Sequence, residues 1–246
     1  MKNNYEVSVV IAAAGKGSRS GLDYPKCLYK INNIPIIVRI IRSLIIWDNE
    51  PAIIVSPEGE GKIEKTLSEN NLKSRLIIQP QAKGMGDAIL MLKKHTNHLK
   101  DNILLTWGDL PFIERDSVKA LLHNYFISND DFRLLTSIQD NPYTVVVRDG
   151  NGNIKEVLET RESQIEIPPQ SNERDIGVFI FKKDLLMDYL SRNLPNKFGQ
   201  TTNEHGFLYV LKHLVANGYK VSATRTLNDI ESVSFNSLSD IEEYDK

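Results

Sequence analysis

The stretch IAAAGKGSRSGLDYPKCLYKI, residues 11 to 31, sets two glycines, a serine, an arginine and a Pro-Lys pair directly behind a run of small apolar residues. Gly15 and Gly17 allow a sharp turn, and the amides exposed in such a loop form a concave site for phosphate oxygens. Arg19 can grip phosphate through two parallel hydrogen bonds, whereas Lys26 is a compact point charge. Together they have the means to neutralise a triphosphate. The loop departs from the two common phosphate loops: Ser20 stands where G-x-G-x-x-G requires its third glycine, and no G-K-[ST] follows a further glycine. On these residues alone, a connecting loop with two solvated cations is the competing reading.

The elements that must hold this loop follow from periodicity. Residues 5 to 14, 52 to 56, 75 to 79 and 102 to 107 are Val-, Ile- and Leu-rich strand patterns. Between them, PIIVRIIRSLII (opening on Pro35), GKIEKTLSEN and GDAILMLKKH repeat at helical spacing. Such alternation predicts parallel strands with helices on both faces, an α/β fold with an open, doubly wound and mostly parallel sheet. After a helix near 116 to 127 the pattern changes. FRLLTSI, YTVVVRD and IKEVLE follow in quick succession, the last two joined by the turn GNGN, which predicts a smaller β-rich lobe containing a hairpin. A strand at GVFIF, a helix at KDLLMDYL and a helix in FLYVLKHLVANG, ending at Gly218, complete the pattern.

Composition narrows the ligands. A net charge of -2 over 246 residues provides no broad basic field for nucleic acid or an anionic membrane, but leaves room for a local phosphate site. Cys27 is the single cysteine, so no intrachain disulfide or cysteine-based zinc cluster is expected; the five histidines lack metal-ligand spacing. Cys27 is read as a packing residue despite its neighbour Lys26. MKNNYEVSVVIAAAG imitates a signal peptide, but Glu6 and Ser8 interrupt its apolar run, and it is read as the first buried strand. No stretch reaches the roughly 20 apolar residues of a membrane span, so a cytoplasmic protein is expected.

The longer string AAAGKGSRSGLDYPKCLYKINNIPII resembles the signature of the sugar-phosphate nucleotidyltransferase family, [AG]-A-G-x-G-[ST]-R followed by P-K. The resemblance is closest to its uridylyltransferase (pyrophosphorylase) domains acting on N-acetylglucosamine 1-phosphate. IIQPQAKGMGDAI, NILLTWGDLPFI and VSFNSLSDIEE are similar to three further family segments. The resemblance implies a Rossmann-like fold and transfer of a nucleoside monophosphate, UMP first, from a triphosphate to a sugar 1-phosphate. It implies that Ala13, Ala14, Gly15, Gly17, Ser18, Gln79, Gly84, Met85 and Trp107 bind the nucleotide, with Gln79 reading a pyrimidine edge. Arg19, Lys26 and Asp109 become the catalytic residues. Asp109 and Asn236 become ligands of Mg2+, with Asp229 and Asp240 as nearby competitors. Residues 1 to 246 are then expected to form one domain, about 1 to 130 binding nucleotide and about 131 to 246 binding sugar and completing the metal site. The sequence carries no hexapeptide repeats, so the nucleotidyltransferase domain alone is expected. A homo-oligomer stays open as a partner.

On the substrate side the resemblance implies that Thr144, Glu159, Asp175 and Tyr209 contact the sugar, with Arg161 adjacent. Here the chain departs from the family pattern: Asp175 replaces an asparagine and Phe207 a glutamate, while Gly206 and Tyr209 are kept. Exchanging a neutral amide for a carboxylate, and a carboxylate for a phenyl ring, reshapes acceptor recognition. Three alternatives stay open: a CTP- or GTP-dependent transferase for another phosphorylated alcohol, a glycosyltransferase, and a non-catalytic nucleotide-binding protein. Against the glycosyltransferase, no D-x-D ends a strand; NDD at 129 to 131 falls in a loop.

Overall fold

The computed structural model of the chain describes residues 5–15, 20–140, 142–160, 162, 172–242 and 244. β1 (Val7–Ala12) is buried along its whole length because it runs between two parallel neighbours, β4 (Ala52–Val55) and β6 (Asn102–Trp107). A two-residue hairpin of β2 (Lys30–Ile31) and β3 (Ile34–Pro35) turns on Asn32 and Asn33. Both asparagines adopt left-handed φ, 48° and 62°, as a tight hairpin turn of this twist demands. Pro35 immediately precedes α1 (Ile36–Leu44).

Beyond β4 come α2 (Glu60–Glu69), β5 (Arg75–Ile78) and α3 (Met85–Leu90). The helix predicted over GDAILMLKKH is α-helical only to Leu90 and continues as a 3-10 helix over Met91–His98. The chain then follows β6, α4 (Arg115–Ser128), β7 (Phe132–Ile138), β8 (Thr144–Arg148), β9 (Ile154–Glu159), β10 (Glu173–Lys182), α5 (Lys183–Ser191), α6 (Val210–Ala216) and β11 (Val221–Arg225).

Seven strands form one sheet in the order β11-β7-β10-β6-β1-β4-β5. All run parallel except β10, which is antiparallel to both of its neighbours. FRLLTSI is therefore β7 of the central sheet rather than part of a separate β-rich lobe. That lobe reduces to the β8–β9 hairpin, which packs against α6 and β10. VSATR, with two short polar side chains and a terminal arginine, lacked a strand signature but extends the sheet beside β7 as β11.

Alternation along β1 sorts the two apolar layers. Val7, Val9 and Ile11 face α1, α2 and α4; Val10 and Ala12 face α3, α5 and α6. Helices thus cover both faces and both faces are dry, as expected for a doubly wound sheet. No helix among the described residues is long and apolar enough to cross a membrane.

β10 carries a bulge between Asp175 and Phe179. Gly177 lies there at φ +81°, where a Cβ would stand 2.2 Å from Cδ1 of Trp107. The Trp107 ring ends β6 and packs on Phe179 (5.0 Å) and edge-on to Phe207 (5.4 Å). Gly177→Ala combines a strained φ with a steric clash. It is expected to lower stability by about 2 kcal/mol or more, read as a fall of roughly 4–8 °C in the thermal midpoint.

Candidate active site

At the carboxyl ends of the parallel strands, where open α/β sheets bind ligands, a cleft of about 920 Å³ opens. Its floor is backbone. Ala12, Ala13, Ala14 and Gly15 leave β1, and Gly108 and Asp109 leave β6; all six residues line the cleft. The Gly108 amide donates to the Ala12 carbonyl (2.9 Å) and the Ala13 amide to the Ile54 carbonyl (2.8 Å), which draws the two strand ends together. Gly17, Ser18 and Arg19 lie outside the described residues.

Lys26 opens a short 3-10 turn, Lys26–Leu28, directly after Pro25, and its ammonium is ion-paired with Oδ2 of Asp109. The other carboxylate oxygen, Oδ1, is buried with no hydrogen-bond partner among the described residues. A second segment arrives from the far end of the chain: the Phe235 amide donates to the Asp109 carbonyl (2.8 Å), and Ser234 and Asn236 line the cleft beside it. Asp240 is occupied in shaping that segment, accepting from the amides of Asn236 (2.8 Å) and Ser237 (2.7 Å). Asp229 is exposed and does not line the cleft. Among the described residues no group of three or more His, Cys, Asp or Glu side chains is gathered to hold a metal. A lone carboxylate with one unsatisfied buried oxygen, beside an asparagine, instead suits a hard divalent cation that keeps most of its own water.

Gln79, just past β5, is buried; its Nε2 donates to the Gly84 carbonyl (3.2 Å) and to Oδ2 of Asp87 (2.9 Å). The amide plane is therefore fixed, with its donor side turned to the protein. Asp87 is an anchor that the sequence did not suggest. Gly84 (φ +100°) precedes α3, and Met85 lines the cleft with it.

On the opposite wall Glu159 and Tyr209 line the cleft, whereas Thr144 and Asp175 do not. Thr144 donates to Oδ1 of Asp175 (2.6 Å) and the Gly177 amide to Oδ2 (2.9 Å), so both side chains are buried in a bond between β8 and β10. Burial pushes the Asp175 carboxyl above its ordinary range, against the pull of Thr144 and the Arg174 charge. Two of the four residues expected at the sugar, Thr144 and Asp175, thus hold the hairpin to the sheet. Trp107 does line the cleft, as part of an aromatic floor shared with Phe207.

Residues that carried no recognisable motif complete this wall. Tyr143 lies 4.0 Å beneath the guanidinium of Arg174, and burial raises its phenol. Lys212 pairs with Glu156 at 3.0 Å. Burial pushes the Tyr209 phenol up to about 12. His205, packed near Tyr209 and Phe198, is pushed down to about 4, first by burial and then by the charge of Lys197. Glu159 and the kept Gly206 and Tyr209 were the sequence signals pointing here. Burial also pushes the Cys27 thiol up to about 12, in keeping with a packing residue.

An open sheet of this order, with a charged cleft at its carboxyl edge, defines a Rossmann-like nucleotide-binding domain of the nucleotidyltransferase type. Residues 9–173 match the MobA-like NTP transferase domain, and the chain belongs to that family. The bifunctional protein GlmU of Streptococcus thermophilus is 30% identical over 227 residues, covering 90% of this chain and 47% of that protein. GlmU of Francisella tularensis subsp. novicida is 26% identical over 232 residues, 94% of this chain and 49% of the relative. The chain spans about half the length of these curated relatives. Two solved structures share the fold. The inositol-1-phosphate CTP transferase of T. maritima has a TM-score of 0.70 at 18% identity, covering 92% of this chain and 87% of that one. A putative glucose-1-phosphate thymidylyltransferase of Bacillus anthracis, in complex with a sucrose, has a TM-score of 0.74 at 17% identity, covering 97% and 93%.

His205 supplies a pH test. Its folded pKa lies below the ordinary 6.5, so its contribution to stability is fully present above pH 6.5 and is lost as pH falls towards 4. Urea unfolding at pH 7 and pH 4.5 is expected to show a drop that shrinks in His205→Gln.

Proposed function

We propose that the chain transfers UMP from UTP to a sugar 1-phosphate, releasing pyrophosphate, in the cytoplasm and with Mg2+. The observation that carries this reading is Asp109: one oxygen paired with Lys26, the other buried with no partner among the described residues, just past the end of a parallel strand in the cleft. The GlmU relatives and the family match support the reaction class.

The backbone of Ala12 to Gly15 would receive the triphosphate, with Arg19 and Lys26 neutralising the phosphates that leave. Gln79 would meet the base, and Trp107 and Met85 would flank the nucleoside. Asp109 and the Asn236 side chain would hold Mg2+, which when bound supplies charge neutralisation at the phosphates. An anionic oxygen of the acceptor phosphate attacks the α-phosphorus in line as the bond to the bridging oxygen of the β-phosphate breaks. The electron pair leaves with pyrophosphate. No side chain has to remove a proton, since the attacking oxygen is already charged at neutral pH. The chain's work is placement and electrostatics. Residues from about 1 to 130 and from about 131 to 246 would then serve nucleotide and acceptor within one unit.

A second reading, CTP-dependent transfer to a phosphorylated polyol, is kept by the departures on the acceptor wall. Asp175 is turned into the protein and residue 207 is a phenylalanine, so neither supplies the sugar contact that the family pattern has at its position. The T. maritima neighbour, by its title, takes CTP and inositol 1-phosphate.

Pyrophosphate release with Mg2+ distinguishes them, with five nucleoside triphosphates crossed against sugar 1-phosphates and other phosphorylated alcohols. UTP with a sugar 1-phosphate is the expected pair. Triphosphate binding without turnover on the whole panel would sink the enzymatic assignment of the acceptor. In the active pair, Asp109→Asn is expected to lower kcat by roughly 10²–10³-fold with an unchanged thermal midpoint. Retained turnover would remove Asp109 from the chemistry.

A further inference from the structure

Residues 197 to 206 form a strap along one wall of the cleft, closed on itself by the Gly206 amide to Lys197 carbonyl bond (2.9 Å), the Gly199 amide to Glu204 carbonyl bond (2.9 Å) and a bridge between Phe198 and His205. Its two ends are tied to different sides of the site. The base of the strap docks on the loop before α3: His205 donates its amide to the Lys83 carbonyl (2.7 Å) and accepts at its own carbonyl from the Gly86 amide (3.0 Å). The approach is close enough to require glycine on the loop. A Cβ at Gly84 would stand 2.4 Å from the His205 carbonyl oxygen, and one at Gly86 would stand 2.1 Å from that of Gly206.

The tip is tied to the acceptor wall. Oε2 of Glu162, three residues beyond the end of β9, accepts from the amides of Thr201 (2.9 Å) and Thr202 (3.4 Å). Gln79 in turn holds the same loop that the strap holds, through the Gly84 carbonyl and Asp87. A continuous chain of contacts therefore runs from Glu162, through the strap, to the amide proposed to read the base.

We propose that this strap couples the two subsites and that Glu162 is a positioning residue for base selection, acting through residues 201–206 and the Gly84–Gly86 backbone on Gln79. This rests on the nucleotidyltransferase reading above. The strap sets how the loop is held, so loosening its tip relaxes discrimination between bases while leaving the phosphate end of the cleft intact. Coupling of this kind is reciprocal, and an acceptor seated against the tip would sharpen base choice in the same way.

The test is calorimetric titration of the full chain, with Mg2+, using UTP, CTP, GTP, ATP, dTTP and inorganic tripolyphosphate. In Glu162→Ala the affinity ratio between the tightest and weakest nucleoside triphosphates is expected to shrink at least fivefold, with tripolyphosphate affinity held within twofold. Glu162→Gln keeps an oxygen for the Thr201 amide and is expected to restore the ratio. Gly86→Ala, which attacks the other anchor, is expected to relax the ratio in the same direction. An unchanged ratio in Glu162→Ala, equal weakening of all six ligands, or equal affinities in the unaltered chain would overturn the coupling. Absence of any triphosphate binding by the unaltered chain would instead overturn the reading on which it rests.

Discussion

At the crossing of two strand ends, the Gly108 amide meets the Ala12 carbonyl at 2.9 Å, and a methyl group on residue 108 would stand 2.9 Å from Cβ of Ala13. Glycine at that one position lets the ends of β1 and β6 close to backbone contact. The site is layered on that contact. The alanines leaving β1 line the cleft without bulk, Asp109 emerges at the edge of the same contact, and Lys26 reaches it from the following loop. An ion pair formed there is partly shielded from water, with side chains 20% and 15% exposed, so it orients both groups more than a surface pair would. It also leaves one carboxylate oxygen with no partner among the described residues, an arrangement in keeping with the proposed cation.

The acceptor wall follows a different rule. Its polar groups are largely engaged with one another: Asp175 with Thr144 and the Gly177 amide, Glu156 with Lys212, Glu162 with the strap. Each bond fixes the β8–β9 hairpin or its neighbours against the sheet. A buried carboxyl such as Asp175 needs such partners, and having found them it is unavailable to a ligand. On the proposed reading, acceptor choice would be left to the groups that do face the cleft, among them Tyr143, Tyr209 and the ring of Phe207.

The parallel strands whose ends line the cleft were legible because local patterns specify them. Buried parallel strands read as unbroken Val and Ile runs, and the phosphate-loop glycines, Gln79 and Asp109 all follow such runs directly. What was not legible depends on partners distant in sequence. FRLLTSI has the same composition whether it enters the main sheet or a separate hairpin; pairing with β10 and β11 decides it. VSATR is a strand because β7 offers it an edge, and its own residues do not announce one. Thr144 and Asp175 were expected at the cleft by resemblance to the family pattern, but each is the other's partner across 31 positions. His205 belongs to no motif; its place is set by glycines at 84 and 86 that only the folded chain brings near.

The single antiparallel strand has a consequence for how the chain is made. β10 stands between β6 and β7, yet it is encoded after both. Until residues 173–182 have left the ribosome, β5-β4-β1-β6 and β7 have no shared partner, and β6 presents an open edge whose residues 103 to 105 are fully apolar. A bare apolar strand edge is a template for pairing with another chain. In the finished sheet the β6 edge is covered and the edges are β5, four residues long, and β11, which carries a serine, a threonine and Arg225. The nascent protein is therefore most exposed to misassembly in the interval between the emergence of β6 and that of β10, and synthesis speed through the hairpin region sets how long that interval lasts.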